Sequence, residues 1–283
     1  MKRIVLALFA ALAFVATSTS AQNARAFEEF QLWPNLAPGE PENAPKPTYE
    51  YWKPEKKTSD ACVIVAPGGG YYVLAYPHEG ELIAKYFNSK GITVVIMKYR
   101  VPRREGIPKH MAAWQDAQRM VRVVRSRADE WGINPDKIGF MGFSAGGHLT
   151  LMTATTSQTP AYEPIDDLDK IPCNVNFAVP VYPAYVLQDG ADSENANKGN
   201  DSELVDDFAF DEKTPPMCMI HGDDDQYSPM GSVQVYAKLR KMNIPAEIHV
   251  FARTGHGFGG SPTDNHVGNW LDRVYYWMRK LDF

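Results

Sequence analysis

Gly142-Phe143-Ser144-Ala145-Gly146-Gly147 sets a serine two residues from a glycine on either side, with His148 following. A serine carried on a sharp strand-to-helix turn needs this spacing, because side chains two positions away would collide with the turn. The turn lifts the hydroxyl clear of a sheet and sets it beside helix N-terminal amides with their partial positive charge. Nucleophilic attack on a carbonyl is the chemistry such a serine would serve. The competing reading, a glycine-rich helix start cradling phosphate, lacks both the G-x-G-x-x-G spacing and the P-loop lysine.

A serine hydroxyl is a weak nucleophile unless a base and an orienting acid serve it, and behind such an elbow these follow in the order acid, histidine. His256, in Arg253-Thr254-Gly255-His256-Gly257-Phe258-Gly259, lies in a loop just beyond an apolar run and takes the base role. His266, at the start of the last helical segment, is the runner-up. His148 reads as a packed helix residue, His221 and His249 as strand residues, and His110 as a loop residue. His78, after the first glycine loop, is a candidate for lining a substrate cleft. For the acid, an apolar run ends in His221-Gly222-Asp223-Asp224-Asp225. Asp225 is preferred because the chain needs a few residues to turn back over the strand end; Asp224 is the alternative. Its carboxylate would hold the imidazole in the working tautomer and stabilise the imidazolium.

Another apolar run ends in Pro67-Gly68-Gly69-Gly70-Tyr71. Successive glycines leave amides unshielded and free to turn toward a developing oxyanion, and the Ala145 amide would complete the set. A phosphate cradle is the other use of such a loop. Tyr71 and His78 are the expected substrate-binding residues.

These loops need a frame. Apolar, β-branched runs at 62–66, 93–97, 137–141, 175–181, 217–220 and 247–251 alternate with helix-like segments at 79–89, 112–127, 145–155, 230–241 and 267–280. In the second of these segments Ala113, Ala117, Met120, Val121 and Val124 recur at helical spacing, with Arg119, Arg122 and Arg125 between them. Such alternation predicts an α/β fold: a mostly parallel sheet with helices on both faces. Residues 22–60 are rich in proline and charge and read as an arm that wraps the domain, with 48–52 a short edge strand; 61–283 form the catalytic domain. The acidic, Asn-rich stretch 189–207 is a loop or lid edge. The segment 182–216 is short for a full lid, so an open cleft is expected.

With 283 residues, of which 44% are hydrophobic and 22% charged, the chain is neither disordered nor collagen-like nor a polytopic membrane protein. A formal net charge of −5 gives no electrostatic grip on nucleic acid. Lys2 and Arg3, an apolar run at 4–16 and small residues at 17–21 have the order of a secretory signal peptide, cleaved after Ala21 or Ala26. The run is too short to span a bilayer, which takes about 20 residues. A secreted or periplasmic protein is therefore expected. Only Cys62, Cys173 and Cys218 are present, an odd number, and no disulfide is expected. No Cys/His spacing resembles a zinc site, the aspartate run is no evidence for calcium, and no cofactor is needed.

Taken together, residues 60–280 resemble the α/β-hydrolase family, in its esterase branch related to hormone-sensitive lipase and the bacterial carbohydrate acetylesterases. That branch has a His-Gly-Gly-Gly loop where this chain reads Pro67-Gly68-Gly69-Gly70-Tyr71, a form closer to the acetyl xylan esterases. The resemblance implies Gly69 and Gly70 as oxyanion donors with Ala145, and Ser144, Asp225 and His256 as the triad. Lys98-Tyr99-Arg100 and Trp114-Gln115-Asp116 also match and would fix the loop beneath the site. It implies a serine esterase acting on short acyl, above all acetyl, esters of a polysaccharide such as xylan. A lipid or xenobiotic carboxylesterase, a serine exopeptidase of the same fold and a catalytically silent binding module are the rival readings.

Overall fold

The computed structural model describes residues 26–188, 202–261 and 266–283. The leader expected at 1–21, and with it most of the acidic stretch 189–207, lies outside the described residues, so neither the signal peptide nor a lid can be read there.

One eight-stranded sheet organises the chain. Its strands are β1 Glu28–Gln31, β2 Thr48–Trp52, β3 Cys62–Ala66, β4 Thr93–Lys98, β5 Ile138–Phe143, β6 Phe177–Val181, β7 Met217–Gly222 and β8 Ala246–Phe251. They lie side by side in the order β1-β2-β4-β3-β5-β6-β7-β8. From β4 to β8 all pairs are parallel, whereas β1–β2 and β2–β4 are antiparallel. β3, β5, β6 and β7 are buried along their whole length, as mostly apolar strands covered on both faces must be.

Among the described residues six α-helices pack around the sheet: α1 Leu82–Ser89, α2 Met111–Ser126, α3 Ala128–Trp131, α4 Ala145–Thr155, α5 Met230–Lys241 and α6 Trp270–Lys280. The two-residue period of the strands divides the core. Cys62, Ile64 and Ala66 face a layer containing Ala117, Met120, Leu149 and Val235, while Val63 and Val65 face one built from Ile83, Phe87, Trp270 and Val274. All three thiols are buried and free. Among the described residues no helix is long and apolar enough to cross a membrane.

The arm departs from expectation. Thr48–Trp52 is not the edge: Glu28–Gln31 adds a further strand outside it. That strand is short, polar and mostly exposed, so it carries little hydrophobic signal. The arm also enters the core through Trp33, which is fully buried and donates its indole N–H to Asp116 at 2.7 Å. Helix boundaries shift as well. A π-helical turn at Pro77–Glu81 precedes α1, and α6 starts at Trp270, which leaves His266 in the turn before it.

Strand order is what creates a crevice. From β3 the chain moves one way to β4 and then back across β3 to β5, so Ala66 and Gly142 become neighbours at the carboxyl ends of adjacent strands. Ligands bind at such switch points in open α/β sheets. Here the glycine loop and the serine turn leave the sheet side by side.

Candidate active site

Ser144 has φ 53° and ψ −117°, a conformation that costs an L-residue energy and persists only where its surroundings hold it. Its amide donates to Val181 O at 3.0 Å, while its carbonyl accepts from Ala184 N at 3.1 Å and His148 N at 3.0 Å. Close packing explains the glycines. A Cβ on Gly142 would overlap the Gly146 carbonyl, and one on Gly146 would overlap the Ala66 carbonyl. A Cβ on Gly68 would lie 2.8 Å from the Cβ of Ser144, so the glycine loop lies directly against the turn.

His256 comes from the loop after β8 and completes a hydrogen-bonded chain. Its Nε2 is 2.8 Å from Ser144 Oγ, and its Nδ1 is 2.8 and 3.0 Å from the two oxygens of Asp225. Backbone bonds tie the aspartate turn to the histidine loop, Asp223 N to Phe251 O at 2.9 Å and Asp224 N to Thr254 O at 3.0 Å. They leave the Asp223 and Asp224 side chains exposed and turn Asp225 inward. The carboxylate of Asp225 also accepts the Tyr227 N–H at 2.8 Å and lies 3.5 Å from His221 Nε2. Burial works to raise its pKa, but hydrogen bonds from His221 and His256 outweigh it and hold the carboxyl below its usual value. His221 is itself fixed, Nε2 on Tyr227 O at 2.9 Å and Nδ1 on Ser232 Oγ at 2.8 Å.

Of the three glycine amides, Gly68 is already committed, since it donates to Glu79 Oε2 at 2.7 Å. The amides of Gly69 and Gly70 donate to no other group among the described residues. Ala145, first in α4, has by position no intrahelical acceptor. Tyr99 donates its hydroxyl to Pro67 O at 2.6 Å and so anchors the start of the loop. Beneath it, the Arg100 amide and Nε bond Asp116 at 2.8 and 3.0 Å, and Arg100 Nη2 reaches Gln115 at 2.8 Å. The two tripeptides therefore support the loop, and burial pushes the Asp116 carboxyl up in spite of Arg100.

One expectation about substrate contacts changes. Tyr71 is fully buried, with φ 65°, and its hydroxyl pairs with His148 Nδ1 at 2.9 Å. Its side chain is thus a support under the loop; the neighbouring Tyr72, 44% exposed, faces outward. His78 packs against the histidine loop, where its carbonyl accepts the Gly260 N–H at 2.7 Å.

Sequence spacing gave no sign of a second brace. Glu79, buried, holds Gly68 with one oxygen and accepts the Tyr182 hydroxyl on the other at 2.8 Å. Tyr182 in turn accepts the Gly259 N–H at 3.0 Å, and its ring lies 4.9 Å from that of His256. One carboxylate thereby couples the glycine loop to the histidine loop. The only hint was an acidic residue three positions before an apolar helix face, which ordinarily reads as a solvated helix start.

Two groups of side chains bring donor atoms within 4.8 Å of one another among the described residues: His110, His148 and Asp207, and Cys218, Glu247 and His249. Each draws on distant segments, so no local spacing would reveal it. Burial pushes the His148 imidazole well below its usual value, favouring the neutral ring.

Known proteins resemble this chain in sequence and fold. The chain is 30% identical over 238 residues to the acetylxylan esterase of Xylanibacter ruminicola, an alignment covering 76% of this chain and 46% of that protein. It is 30% identical over 226 residues to endo-1,4-beta-xylanase B of Butyrivibrio fibrisolvens, covering 76% and 35%. The chain thus spans less than half the length of either curated relative. The acetyl ester-xyloside bifunctional hydrolase of Caldicellulosiruptor lactoaceticus superimposes with a TM-score of 0.74 at 28% identity, over 90% of this chain and 96% of that one. Esterase 2 of Thermogutta terrifontis, at 20% identity and a TM-score of 0.72, shares the fold. Residues 50–239 match the BD-FAE family profile, and with its α/β-hydrolase sheet the chain belongs to the BD-FAE family.

Proposed function

We propose that the protein is a serine esterase that removes acetyl and other short acyl groups from a polysaccharide such as xylan. The observation that carries this reading is the unbroken chain Ser144 Oγ–His256–Asp225, with both links at 2.8 Å. Ser144 Oγ attacks the ester carbonyl while His256 Nε2 takes its proton; Asp225 steadies the imidazolium. The oxyanion meets the Gly69, Gly70 and Ala145 amides. Collapse of the intermediate expels the sugar alcohol, which receives the proton from His256, and leaves an acyl-serine. Water, deprotonated by the same histidine, then releases the acid and restores Ser144. The relatives' names favour a carbohydrate ester over a lipid one, and export, read from the charged and apolar leader, would bring the enzyme to such a polymer.

The test compares acetate release from acetylated xylan with fatty-acid release from tributyrin, using Ser144→Ala as the blank. Preferential deacetylation of xylan is expected. Hydrolysis of tributyrin alone would overturn the carbohydrate reading, and equal nitrophenyl acetate rates for wild type and Ser144→Ala would overturn the esterase itself. Export is checked by cell fractionation and mass spectrometry of the N-terminus, which should begin after Ala21 or Ala26 in the exported fraction; retention of the protein inside the cell with its leader intact would refute it.

A further inference from the structure

Beside the glycine loop lies a cavity of about 660 Å³, lined by Tyr72, Pro102, Arg103, Arg104, Ile107 and Lys109 together with neighbouring loop residues. That volume falls within the usual span of small-molecule sites, about 300–1,000 Å³. It opens next to the proposed oxyanion donors: a Cβ on Gly70 would sit 3.5 Å from the Tyr72 ring. The two walls are joined, because the Arg103 amide donates to Tyr71 O at 2.6 Å.

The cations of this cavity differ in what holds them. Arg104 is bound to Glu40 at 2.8 Å and is not available. Lys109 lies 4.4 Å from the centre of the Tyr185 ring. Arg103 is stacked 4.4 Å over the exposed ring of Tyr72 and forms no ion pair with any carboxylate among the described residues, Glu105 on the rim included. A guanidinium that lies over an aromatic face can keep its in-plane N–H edges for a carboxylate, which takes two parallel hydrogen bonds. A partly exposed arginine loses little hydration while waiting and gains most from an acceptor of matching shape.

We propose that this cavity is a subsite for a carboxylate-bearing sugar, a uronic acid residue near the ester that is cleaved, with Arg103 binding the carboxylate and Tyr72 positioning Arg103. The proposal rests on the reading of the neighbouring site as a carbohydrate esterase. It places the acidic sugar on the glycine-loop side of the ester and makes the enzyme prefer acetylated polymer decorated with uronic acid.

The experiment measures kcat/KM on two acetylated xylo-oligosaccharides, one neutral and one carrying a uronic acid, for wild type, Arg103→Gln and Tyr72→Leu. The readout is the ratio of the two values within each protein, so a general loss of activity or fold cancels. Wild type should prefer the acidic substrate by about tenfold, mainly through a lower KM, and the preference should shrink as salt is raised. In Arg103→Gln the ratio should fall to near one, and in Tyr72→Leu it should fall part of the way. No preference in wild type, or the full preference in Arg103→Gln, would overturn the subsite. Equal cleavage of both sugars would sink the subsite and leave the carbohydrate reading standing. Cleavage of nitrophenyl acetate with neither sugar touched would sink both.

Discussion

Removing one oxygen, by Tyr182→Phe, tests whether the Glu79 brace controls the site. The ring would keep its contacts with His256 at 4.9 Å, Phe258 at 4.7 Å and Phe143 at 5.8 Å, so packing is conserved and only hydrogen bonds are lost. Two buried groups then lack their partner: the Gly259 N–H, bonded at 3.0 Å, and Glu79 Oε1, bonded at 2.8 Å. A buried polar group left unsatisfied costs about 1–3 kcal/mol, and more when it is charged, so a loss of roughly 3–5 kcal/mol is expected. For a chain of this size that corresponds to a melting temperature lower by roughly 6–10 °C. The functional consequence follows from where the bonds sit. Gly259 is three residues beyond His256, and a displacement of the imidazole by about 1 Å can cost on the order of 100-fold in rate. With nitrophenyl acetate, kcat should fall between about 10- and 100-fold while KM changes little, because the small ester does not use this brace for binding. Thermal melts and steady-state kinetics on the same preparation give both numbers. A melting temperature within about 1 °C of wild type and a kcat within about twofold would refute the reasoning, since each half predicts well outside those bounds.

Asp225→Asn should lower kcat by about 10³–10⁴-fold, because the amide can present its N–H to His256 and stabilise the wrong tautomer; steady-state rates on nitrophenyl acetate check this. The same variant carries a pH signature: native Asp225 is held below its ordinary value of 3.8, so its ionised form stabilises the fold. That contribution is complete above the unfolded value and is lost as pH falls through the lower native one. Denaturation curves should therefore show the gap between wild type and Asp225→Asn narrowing as pH drops below 3.8. Gly146→Ala forces a Cβ onto the Ala66 carbonyl and should cost about 3 kcal/mol or more, seen as loss of soluble protein or a much lower melting temperature. Asp116→Ala removes the carboxylate shared by Arg100 and Trp33, leaves a buried guanidinium short of its partner, and should cost about 3–5 kcal/mol by chemical denaturation.

Much of the site was legible because its parts are constrained locally. A strained serine turn accepts almost nothing but glycine on either side, a loop of exposed amides needs glycines of its own, and fully buried strands need unbroken apolar runs. Ser144, His256, Gly69, Gly70 and the parallel sheet therefore follow from short stretches of residue types, whatever the remainder of the chain does. The burial of Tyr71, the outward turn of Tyr72 and the choice of Asp225 over Asp224 are of another kind. Each separates two adjacent residues of the same type, and the direction of a side chain there depends on the backbone path after a strand. That path is set by contacts from afar: Arg103 N on Tyr71 O, and Thr254 O on Asp224 N. The Glu79–Tyr182–Gly259 brace and the extra strand Glu28–Gln31 likewise join segments that sequence order keeps far apart. Local spacing determined which backbone turns and which reacting groups this protein carries. Only the tertiary structure decided which neighbouring side chain faces inward and what clamps the loops together, because those depend on long-range hydrogen bonds and packing that leave no periodic trace in the chain.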